Sequence, residues 1–294
     1  MESNNKTLKQ KLSEGKFVVT CEISPPRGSD ISKFEEMVKG VLKKVDAINI
    51  TDNPLLSVRM STLGASIVAM KLGAEPIYQL TCRDRNILAI TSDLLAAWSF
   101  GVKNVLALYG DVPKETDSSP KPVFEVDTYS LMKTIVNMNN GLDFRGKDLQ
   151  GKTDFFIGGT LNPYDSKDRV ISGLQKKVQS GARFFQSQPL FSMNTLEWLS
   201  DSEIGKGVYI ILGVMIVLSE KTISMLKKLA PFMSIPEEVE QKFYDLKNPD
   251  DKKNYGVDLA TEVSLKIRDS KLFSGVHIMS PADETLIQRV VSNL

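Results

Sequence analysis

Short apolar runs alternate with longer stretches of helical pattern along almost the whole chain. The runs are short enough and rich enough in β-branched and aromatic residues to predict buried strands. We predict eight of them, at Phe17–Ser24, Ala47–Thr51, Pro76–Thr81, Asn104–Tyr109, Asp154–Thr160, Phe184–Gln188, Tyr209–Met215 and Gly275–Met279. The stretches between them predict helices at Ile31–Val45, Met60–Leu72, Asn86–Phe100, Asp127–Asn139, Asp168–Ser180, Met193–Ser200, Lys221–Leu229 and Val257–Ser270.

This alternation predicts an α/β fold, a (β/α)8 TIM barrel, because parallel neighbouring strands need helical crossovers. The rival fold is a doubly wound open sheet. The chain has no Gly-x-Gly-x-x-Gly after the first strand and no Walker-type loop after any strand, which removes the strongest signals for the rival. No fixed-period repeat or low-complexity linker is present, so we expect one domain over residues 1–294, with residues 1–15 as a polar N-terminal extension.

Composition narrows the class of partner. The 294 residues carry 37 Lys plus Arg against 36 Asp plus Glu, so bulk charge gives no reason to expect nucleic acid or an anionic membrane. The polar start precedes an apolar run, Phe17–Thr20, that is too short for a signal or spanning helix, which predicts a soluble, cytoplasmic protein. Cys21 and Cys82 make no metal-ligand spacing, and we expect both to be buried.

Two segments interrupt the alternation. Residues 111–127 form a long loop rich in proline and serine after the fourth strand, on the face where barrels hold ligands, although a simple flexible excursion is the alternative. Ile235–Gly256, which includes the charged run Asp245–Lys253, is typical of a surface helix and a solvated connection. We therefore expect function at the first segment rather than the second.

Polar residues gather where the predicted strands end, and in a barrel these ends form the active face. They are Glu22, Thr51, Asp52, Asn53, Gln79, Thr81, Tyr109, Gly110, Asp111, Thr160, Asn162, Gln186, Gln188, Ser219 and Glu220. Turn and cap chemistry accounts for Thr81, Asn162 and Asn53, but poorly for Glu22 and Asp111. Glu22 ends an apolar strand before a double-proline turn, so its carboxyl group is either solvated in a cleft or shifted in pKa. It is our first candidate for a catalytic acid.

Five segments together resemble methylenetetrahydrofolate reductase in order and spacing. They are Glu22 with its Pro-Pro turn, Gln79–Asn86, Asn104–Pro113, Lys177–Ala182 and Phe185–Pro189. The resemblance covers about Phe17–Leu294, and the segment Asn137–Gly141 is similar to the bacterial subgroup found in anaerobes or fused to homocysteine methyltransferases. It implies a (β/α)8 barrel that carries FAD and reduces 5,10-methylenetetrahydrofolate to 5-methyltetrahydrofolate in one-carbon metabolism.

The resemblance also implies roles for individual residues. Glu22 aligns with the general acid that protonates N10 of the folate. Asp111 aligns with the aspartate that tunes the flavin and helps to bind folate, and Gln188 with the glutamine that holds the pterin. Positions that contact FAD in the family correspond to Thr51, Gln79, Tyr109, Gly110, Asp111, Asn162, Lys176 and Lys177, the two lysines as partners of the diphosphate.

The chain departs from the enteric members of the family at several of these positions. Gln79 replaces a histidine, Tyr109 replaces an arginine, and the segments Gly158–Pro163 and Met279–Ala282 are altered. We predict that NAD(P)H is a poor direct donor and that a partner protein supplies the electrons, which is compatible with an oligomer or hetero-complex. The single histidine, His277, is expected to be a satisfied core residue rather than a chemical one.

Two other functions stay open. The same barrel could serve as a methyl-folate-binding or methyl-transfer subunit without flavin redox activity, which the changes at Gln79 and Tyr109 motivate. A non-catalytic partner of a larger complex is the other alternative. Retention of Glu22, Asp111 and Gln188 together argues against it.

Overall fold

Eight parallel strands form a closed barrel in chain order. A computed structural model of the chain describes residues 6–114, 116, 119–192, 198–199, 207–280 and 283–294, with the backbone alone at residue 284. The strands are β1 (Val18–Ile23), β2 (Ala47–Ile50), β3 (Pro76–Thr81), β4 (Asn104–Leu108), β5 (Phe156–Leu161), β6 (Phe184–Leu190), β7 (Tyr209–Met215) and β8 (Gly275–Met279). The barrel prediction is confirmed, and every predicted strand lies within two residues of an observed one.

Helices surround the barrel and close one of its ends. They are α1 (Leu8–Ser13), α2 (Ser32–Val41), α3 (Thr62–Lys71), α4 (Ile87–Phe100), α5 (Thr128–Asn139), α6 (Lys167–Gln179), α7 (Glu220–Leu229), α8 (Glu237–Asp245), α9 (Pro249–Ser270) and α10 (Ile287–Val291). The predicted helix at Met193–Ser200 lies mostly outside the described residues. Among the helices that are described, none is long and apolar enough to cross a membrane.

Local signals fix where several helices begin. The side chains of Asn86, Asp127 and Ser219 accept hydrogen bonds from the backbone in the first turns of α4, α5 and α7. Helix α9 begins at Pro249, eight residues before the predicted Val257, because Asn248 caps it and proline occupies its first position. The predicted surface helix in Ile235–Gly256 is α8, whereas the predicted connection is short, because the charged run Asp245–Lys253 includes the end of α8 and the first residues of α9.

The N-terminal end of the barrel, which we call the floor, is closed by apolar side chains. Helix α1 contributes Leu8 and Leu12, which pack against inward-facing strand residues: Val18, Ala47, Ile77, Leu106, Phe156, Phe184 and Ile211. Glu75 anchors this helix, since both of its carboxylate oxygens accept from the Leu8 backbone N–H, at 2.9 and 3.0 Å. Part of the predicted polar extension is thus a structural plug.

The larger apolar core lies between the sheet and the surrounding helices. Outward-facing residues such as Ile50, Tyr78 and Leu80 pack there against Ala65, Leu94 and others, and all of β3 is buried. Cys21 and Cys82 are both buried, as predicted, and they form no disulfide with one another. The floor is closed and the outer face of the sheet is covered by helices. The open part of the barrel interior is therefore at the C-terminal ends of the strands, which we call the mouth.

Candidate active site

Glu22 lies at the mouth, at the C-terminal end of β1, with 31% of its side chain exposed. Gln79 on β3 donates its amide Nε2 hydrogen to Glu22 Oε2 at 3.1 Å. His277 on β8 places Nε2 at 4.0 Å from the same carboxylate oxygen. The candidate acid is therefore bordered by an amide and an imidazole. Gln79, which the resemblance assigns to the cofactor, contacts the acid in this structure.

A layer of buried polar side chains lies one step below Glu22 inside the barrel. Thr20 Oγ1 is 2.9 Å from His277 Nδ1, and Gln186 Nε2 donates to Thr20 Oγ1 at 3.3 Å. Asn49 and Gln186 exchange two amide hydrogen bonds of 2.6 and 3.0 Å. All four residues are at most 3% exposed, so a broken bond here would leave a costly unpaired group. The layer holds His277 in place beneath the mouth.

Sequence reasoning identified Gln186 at a strand end but missed Thr20 and Asn49. The signal was available, because each is a polar residue inside an apolar strand, spaced by two from Glu22 or Thr51 and hence on the same face. Their partners could not be found in this way. Asn49 and Gln186 are 137 positions apart along the chain.

A buried ion pair joins the loops after β2 and β3. Asp52 accepts from Arg85 at 2.9 and 3.2 Å and from the Thr81 backbone and hydroxyl at 3.0 and 2.8 Å. Arg83, 1% exposed, holds Asp84 through two bonds of 2.6 and 2.7 Å. Burial of Asp84 favours the neutral acid, but the bonds and charge of Arg83 outweigh it and lower its pKa. These arginines stiffen the rim of the mouth.

Asp111 lies at this rim and is largely exposed, at 57% of its side chain. Its Oδ2 accepts from the Leu55 backbone N–H at 3.1 Å, and Arg83 lies 4.0 Å away. The preceding Gly110 has φ of 96°, and a Cβ there would lie 2.9 Å from the Arg83 Cβ. Only glycine therefore lets the chain turn so closely over Arg83 and present Asp111.

The turn that binds Asp111 carries backbone strain. Asn53, Leu55 and Leu56 have φ of 44°, 53° and 58°, in the left-handed region that bulky residues rarely adopt. Asn53 Oδ1 accepts from the Arg59 backbone at 3.0 Å, which helps to hold the turn. Such strain is often stored at functional sites, and here it lies beside two predicted site residues, Thr51 and Asp111.

Tyr109 provides an aromatic surface at the mouth. Its ring stacks on Phe124, with centroids 4.5 Å apart and planes 11° apart, and 47% of the residue stays exposed. One ring face is thus covered by Phe124, and the residue remains accessible to a planar ligand. The long loop after β4 supplies Phe124, so this loop contributes to the site.

Gln188 is presented by a bulge in β6. Gln186 pairs with Ile211 and Pro189 pairs with Gly213, so β6 advances three residues where β7 advances two. The Ser187 hydroxyl accepts from the Gly213 N–H at 2.8 Å and donates to the Gln188 carbonyl at 2.7 Å. A Cβ on Gly213 would lie 2.5 Å from the Ser187 carbonyl oxygen, so this bulge requires glycine on the neighbouring strand.

The remaining predicted cofactor contacts differ in their surroundings. Thr51 is buried at the end of β2, and its Oγ1 has no hydrogen-bond partner among the described residues. Asn162 lies in a turn and bonds Tyr164 N and Asp165. Lys176 is exposed, whereas Lys177 is mostly covered and donates to the Thr160 carbonyl at 2.5 Å. Burial lowers the pKa of Lys177.

The mouth combines an acid with amide, hydroxyl and aromatic groups. Surface grooves of about 710 and 900 Å³ lie at the opposite end, around α1, and are lined by none of the predicted site residues. Across the described ranges no group of three His, Cys, Asp or Glu side chains could hold a metal ion. The acid of the mouth can donate a proton, and its amide, hydroxyl and aromatic groups can bind a planar heterocycle by its edges and face.

Comparison with known proteins identifies the family. A family model described as methylenetetrahydrofolate reductase matches residues 7–294. The chain is 24% identical over 287 residues to 5,10-methylenetetrahydrofolate reductase of Pectobacterium carotovorum, a match that covers 89% of this chain and 85% of that protein. A Caenorhabditis elegans protein named probable methylenetetrahydrofolate reductase (NADPH) is 23% identical over 298 residues, covering 98% of this chain and 43% of its own.

A solved structure shows the same fold. It is a Clostridium thermocellum protein, described as binding two copies of 5-methyl-5,6,7,8-tetrahydrofolic acid, with 17% sequence identity, a TM-score of 0.69 and coverage of 97% and 96% of the two chains. The chain spans less than half the length of the curated relatives from C. elegans, yeast and Arabidopsis. The match to the family model over nearly its full length shows that the chain belongs to the methylenetetrahydrofolate reductase family.

Proposed function

We propose that the chain catalyses the flavin-dependent reduction of 5,10-methylenetetrahydrofolate to 5-methyltetrahydrofolate. The observation that carries the proposal is Glu22, a partly buried carboxyl group at the mouth that is hydrogen-bonded by Gln79 in a chain of this family. A carboxyl group in this position can serve as a general acid, which typically contributes about 10²–10⁴ in rate.

Glu22 would supply the proton that opens the folate ring. Its O–H bond breaks as a bond forms between the proton and N10, and the bond from N10 to the bridging carbon then breaks, leaving its electron pair on N10. The bridging carbon remains on N5 as an iminium that can accept hydride. The Gln79 N–H, 3.1 Å from Oε2, stabilises the carboxylate left behind.

Gln188 and Asp111 would bind the folate. A glutamine amide offers both a donor and an acceptor, which suits the edge of a pterin. The bulge in β6 fixes the backbone of Gln188, and the Leu55 N–H fixes the carboxylate of Asp111. The backbone of Gln188 and the carboxylate of Asp111 are therefore held in place before a ligand binds.

The mouth residues fit a flavin. The unpartnered Thr51 hydroxyl and the half-exposed Tyr109 ring offer a hydrogen bond and a stacking surface. Lys176 is the exposed lysine of the pair that we assign to the diphosphate, while Lys177 is already bonded to the Thr160 carbonyl. FAD, when bound, would supply the hydride for the substrate carbon.

The flavin can be tested directly. Heat release from the purified protein followed by chromatography should yield FAD, and the apoprotein should take up added FAD. The reduced holoprotein should then be reoxidised by methylenetetrahydrofolate under anaerobic conditions. A protein that contains no flavin and also fails to take up added FAD would contradict the proposal.

The electron donor is a separate proposal. The resemblance implies that NAD(P)H would stack over the flavin, so donor use would depend on the residues around the mouth. In this chain the segment Gly158–Pro163, which contains the C-terminal end of β5, differs from the enteric members, and this change motivates the proposal. We expect stopped-flow reduction of the holoprotein by NADH or NADPH to be slow, and reduction by dithionite to be complete. Fast reduction by either nucleotide would refute a partner protein as the required donor.

The second candidate function is a methyl-folate-binding subunit without redox activity. Gln79 is engaged with Glu22, and Tyr109 lacks the charge that would hold a phosphate, which together weaken the case for a tight FAD site. The fold neighbour described as binding 5-methyltetrahydrofolic acid is consistent with this candidate. A colourless protein that binds methyltetrahydrofolate would favour it, whereas a yellow protein favours the reductase.

A further inference from the structure

Tyr164 lies in the loop between β5 and α6, and the function proposed above gives it no role. Its hydroxyl group donates to the Pro189 carbonyl on β6 at 2.7 Å, 25 positions later in the chain. A carbonyl can only accept, so the direction of this hydrogen bond is fixed. Burial raises the pKa of Tyr164 to about 12, and the phenol therefore keeps its hydrogen at physiological pH. Tyr164 thus holds the backbone one residue after Gln188.

The backbone of Gln188 needs such support because it lies in the bulge. Between Gln186 and Pro189 the pairing with β7 is irregular, so the sheet alone does not determine the conformation of Gln188. Pro189 has a fixed φ and disfavours the helical conformation at the residue before it. The Ser187 hydroxyl donates to the carbonyl before the proline ring at 2.7 Å, and the Tyr164 hydroxyl donates to the carbonyl after it. Two side-chain hydroxyl groups therefore restrict the backbone that carries Gln188.

We propose that Tyr164 is a positioning residue for folate binding, which acts by fixing the backbone that carries Gln188. Ser187 belongs to the bulge itself, whereas Tyr164 reaches the bulge from a neighbouring loop. Without the phenol hydroxyl this backbone gains freedom, and folate binding then has to order it at a cost in affinity. The inference rests on the proposed function, in which Gln188 binds the pterin edge.

Tyr164 is itself held by contacts that do not involve its hydroxyl group. Its backbone N–H donates to Asn162 Oδ1 at 3.2 Å. Its ring packs against an apolar cluster that contains Phe191 after β6, Val217 after β7, and residues of α7 and α8. Replacement by phenylalanine keeps this packing and removes the one hydrogen bond to Pro189. Tyr164→Phe is therefore expected to fold and to test the hydroxyl group alone.

Folate affinity measures the positioning role. Isothermal titration calorimetry of the purified full chain with 5-methyltetrahydrofolate gives the Kd. We expect Tyr164→Phe to raise it about threefold to tenfold, the effect of losing one hydrogen bond. The same substitution in a Gln188→Ala background should raise it no further, because the residue that Tyr164 positions is gone. An unchanged Kd in the first case, or equal rises in both backgrounds, would overturn the proposal.

Tyr255→Phe is the matched control. The Tyr255 ring packs against the same apolar cluster and contacts Phe243 edge-on, with centroids 5.0 Å apart. Loss of its hydroxyl group should leave the Kd for 5-methyltetrahydrofolate at the wild-type value. An equal rise in this variant would make the Tyr164 effect nonspecific and count against the proposal.

Failure of the positioning role can be told from failure of the proposed function. A wild-type protein that does not bind 5-methyltetrahydrofolate would contradict the proposed function itself. Normal wild-type binding with an unaffected Tyr164→Phe variant would contradict the positioning role alone. Crystal structures of the ligand-free wild type and Tyr164→Phe decide the geometry without any folate: we expect the Gln188 backbone to shift in the variant, and an unchanged bulge would overturn the proposal.

Discussion

The floor and the mouth of the barrel are built from the same strands and differ in what their inward-facing side chains do. At the floor, Val18, Ile77 and Phe184 pack with Leu8 and Leu12 into a closed apolar layer. Two residues further along β1, β3 and β6, the inward positions are Thr20, Gln79 and Gln186. A step of two residues thus converts a packed layer into a hydrogen-bonded one, because side chains on one face recur at that interval.

The difference separates stability from chemistry. Apolar burial at the floor does not depend on the orientation of individual bonds, and its contribution to the free energy of folding follows the area removed from water. The polar layer is directional, and each of its groups needs its partner. We infer that the floor keeps the barrel closed so that the mouth can hold Glu22 in a defined environment. The following predictions test this separation, from the largest expected effect to the smallest.

Glu22→Gln should abolish most of the folate chemistry while leaving the fold intact. The amide cannot supply the proton, so flavin reoxidation by methylenetetrahydrofolate should fall about 10²–10⁴-fold. Flavin content and its reduction by dithionite should not change. The same substitution at the floor, Glu75→Gln, serves as the matched control and should leave the half-reaction rate at its wild-type value. Reoxidation at the wild-type rate in the Glu22 variant would remove it as the acid.

Leu12→Ala should show the opposite pattern. Leu12 is 2% exposed and fills the floor, so truncation leaves a cavity and lowers the free energy of unfolding by about 2–5 kcal/mol. Urea unfolding measures this change, and anaerobic flavin reoxidation measures activity in the folded protein. Retained stability would mean that α1 does not plug the barrel, and a parallel loss of rate would show that floor and mouth are coupled.

Gly213→Ala should disturb the bulge that presents Gln188. The new Cβ would meet the Ser187 carbonyl oxygen at 2.5 Å, and such overpacking typically costs about 1–3 kcal/mol. We expect weaker folate binding as the bulge shifts. Gly173→Ala is the control, because a Cβ there has nothing within 4 Å on helix α6. Equal folate affinity in both variants would show that the bulge does not set the position of Gln188.

Gln188→Ala should weaken folate binding more than flavin binding. Loss of an amide pair with the pterin edge should cost about 1–3 kcal/mol of binding free energy. Titration of the oxidised protein with 5-methyltetrahydrofolate, followed through the flavin spectrum, measures the Kd. An unchanged Kd would place the pterin elsewhere in the mouth.

Glu75 should give the floor a modest pH dependence of stability. Burial raises the pKa of this carboxyl group above its ordinary value of 4.5, so the folded state holds the proton more tightly than the unfolded chain. The associated stability is fully present below the unfolded pKa and is lost as the pH rises through the folded pKa. Urea unfolding across this interval should show that the free energy of unfolding falls with rising pH for the wild type but not for Glu75→Gln. Parallel curves would rule out this titration.

Several elements followed from the sequence because their signals are local. The strands β3, β7 and β8 begin and end at the predicted residues, since an apolar run bounded by turn residues needs no distant information. The start of α9 was missed for an equally local reason, because the Asn248 cap and Pro249 outweigh the charged composition of its first turns. Among the site residues, Glu22, Asp111 and Gln188 were found at strand ends, and their roles remain predictions.

The sequence by itself determined that eight strands alternate with helices and that an acid ends the first of them. Only the tertiary structure decided which side chains surround that acid, because closing the barrel pairs β1 with β8. This pairing brings His277 to 4.0 Å from Glu22 and into a hydrogen bond with Thr20, 257 positions earlier in the chain. The same closure turned Gln79 toward Glu22 and set the bulge of Gln188 against Gly213. These contacts depend on register between strands that are distant along the chain, and periodicity within a strand carries no information about it.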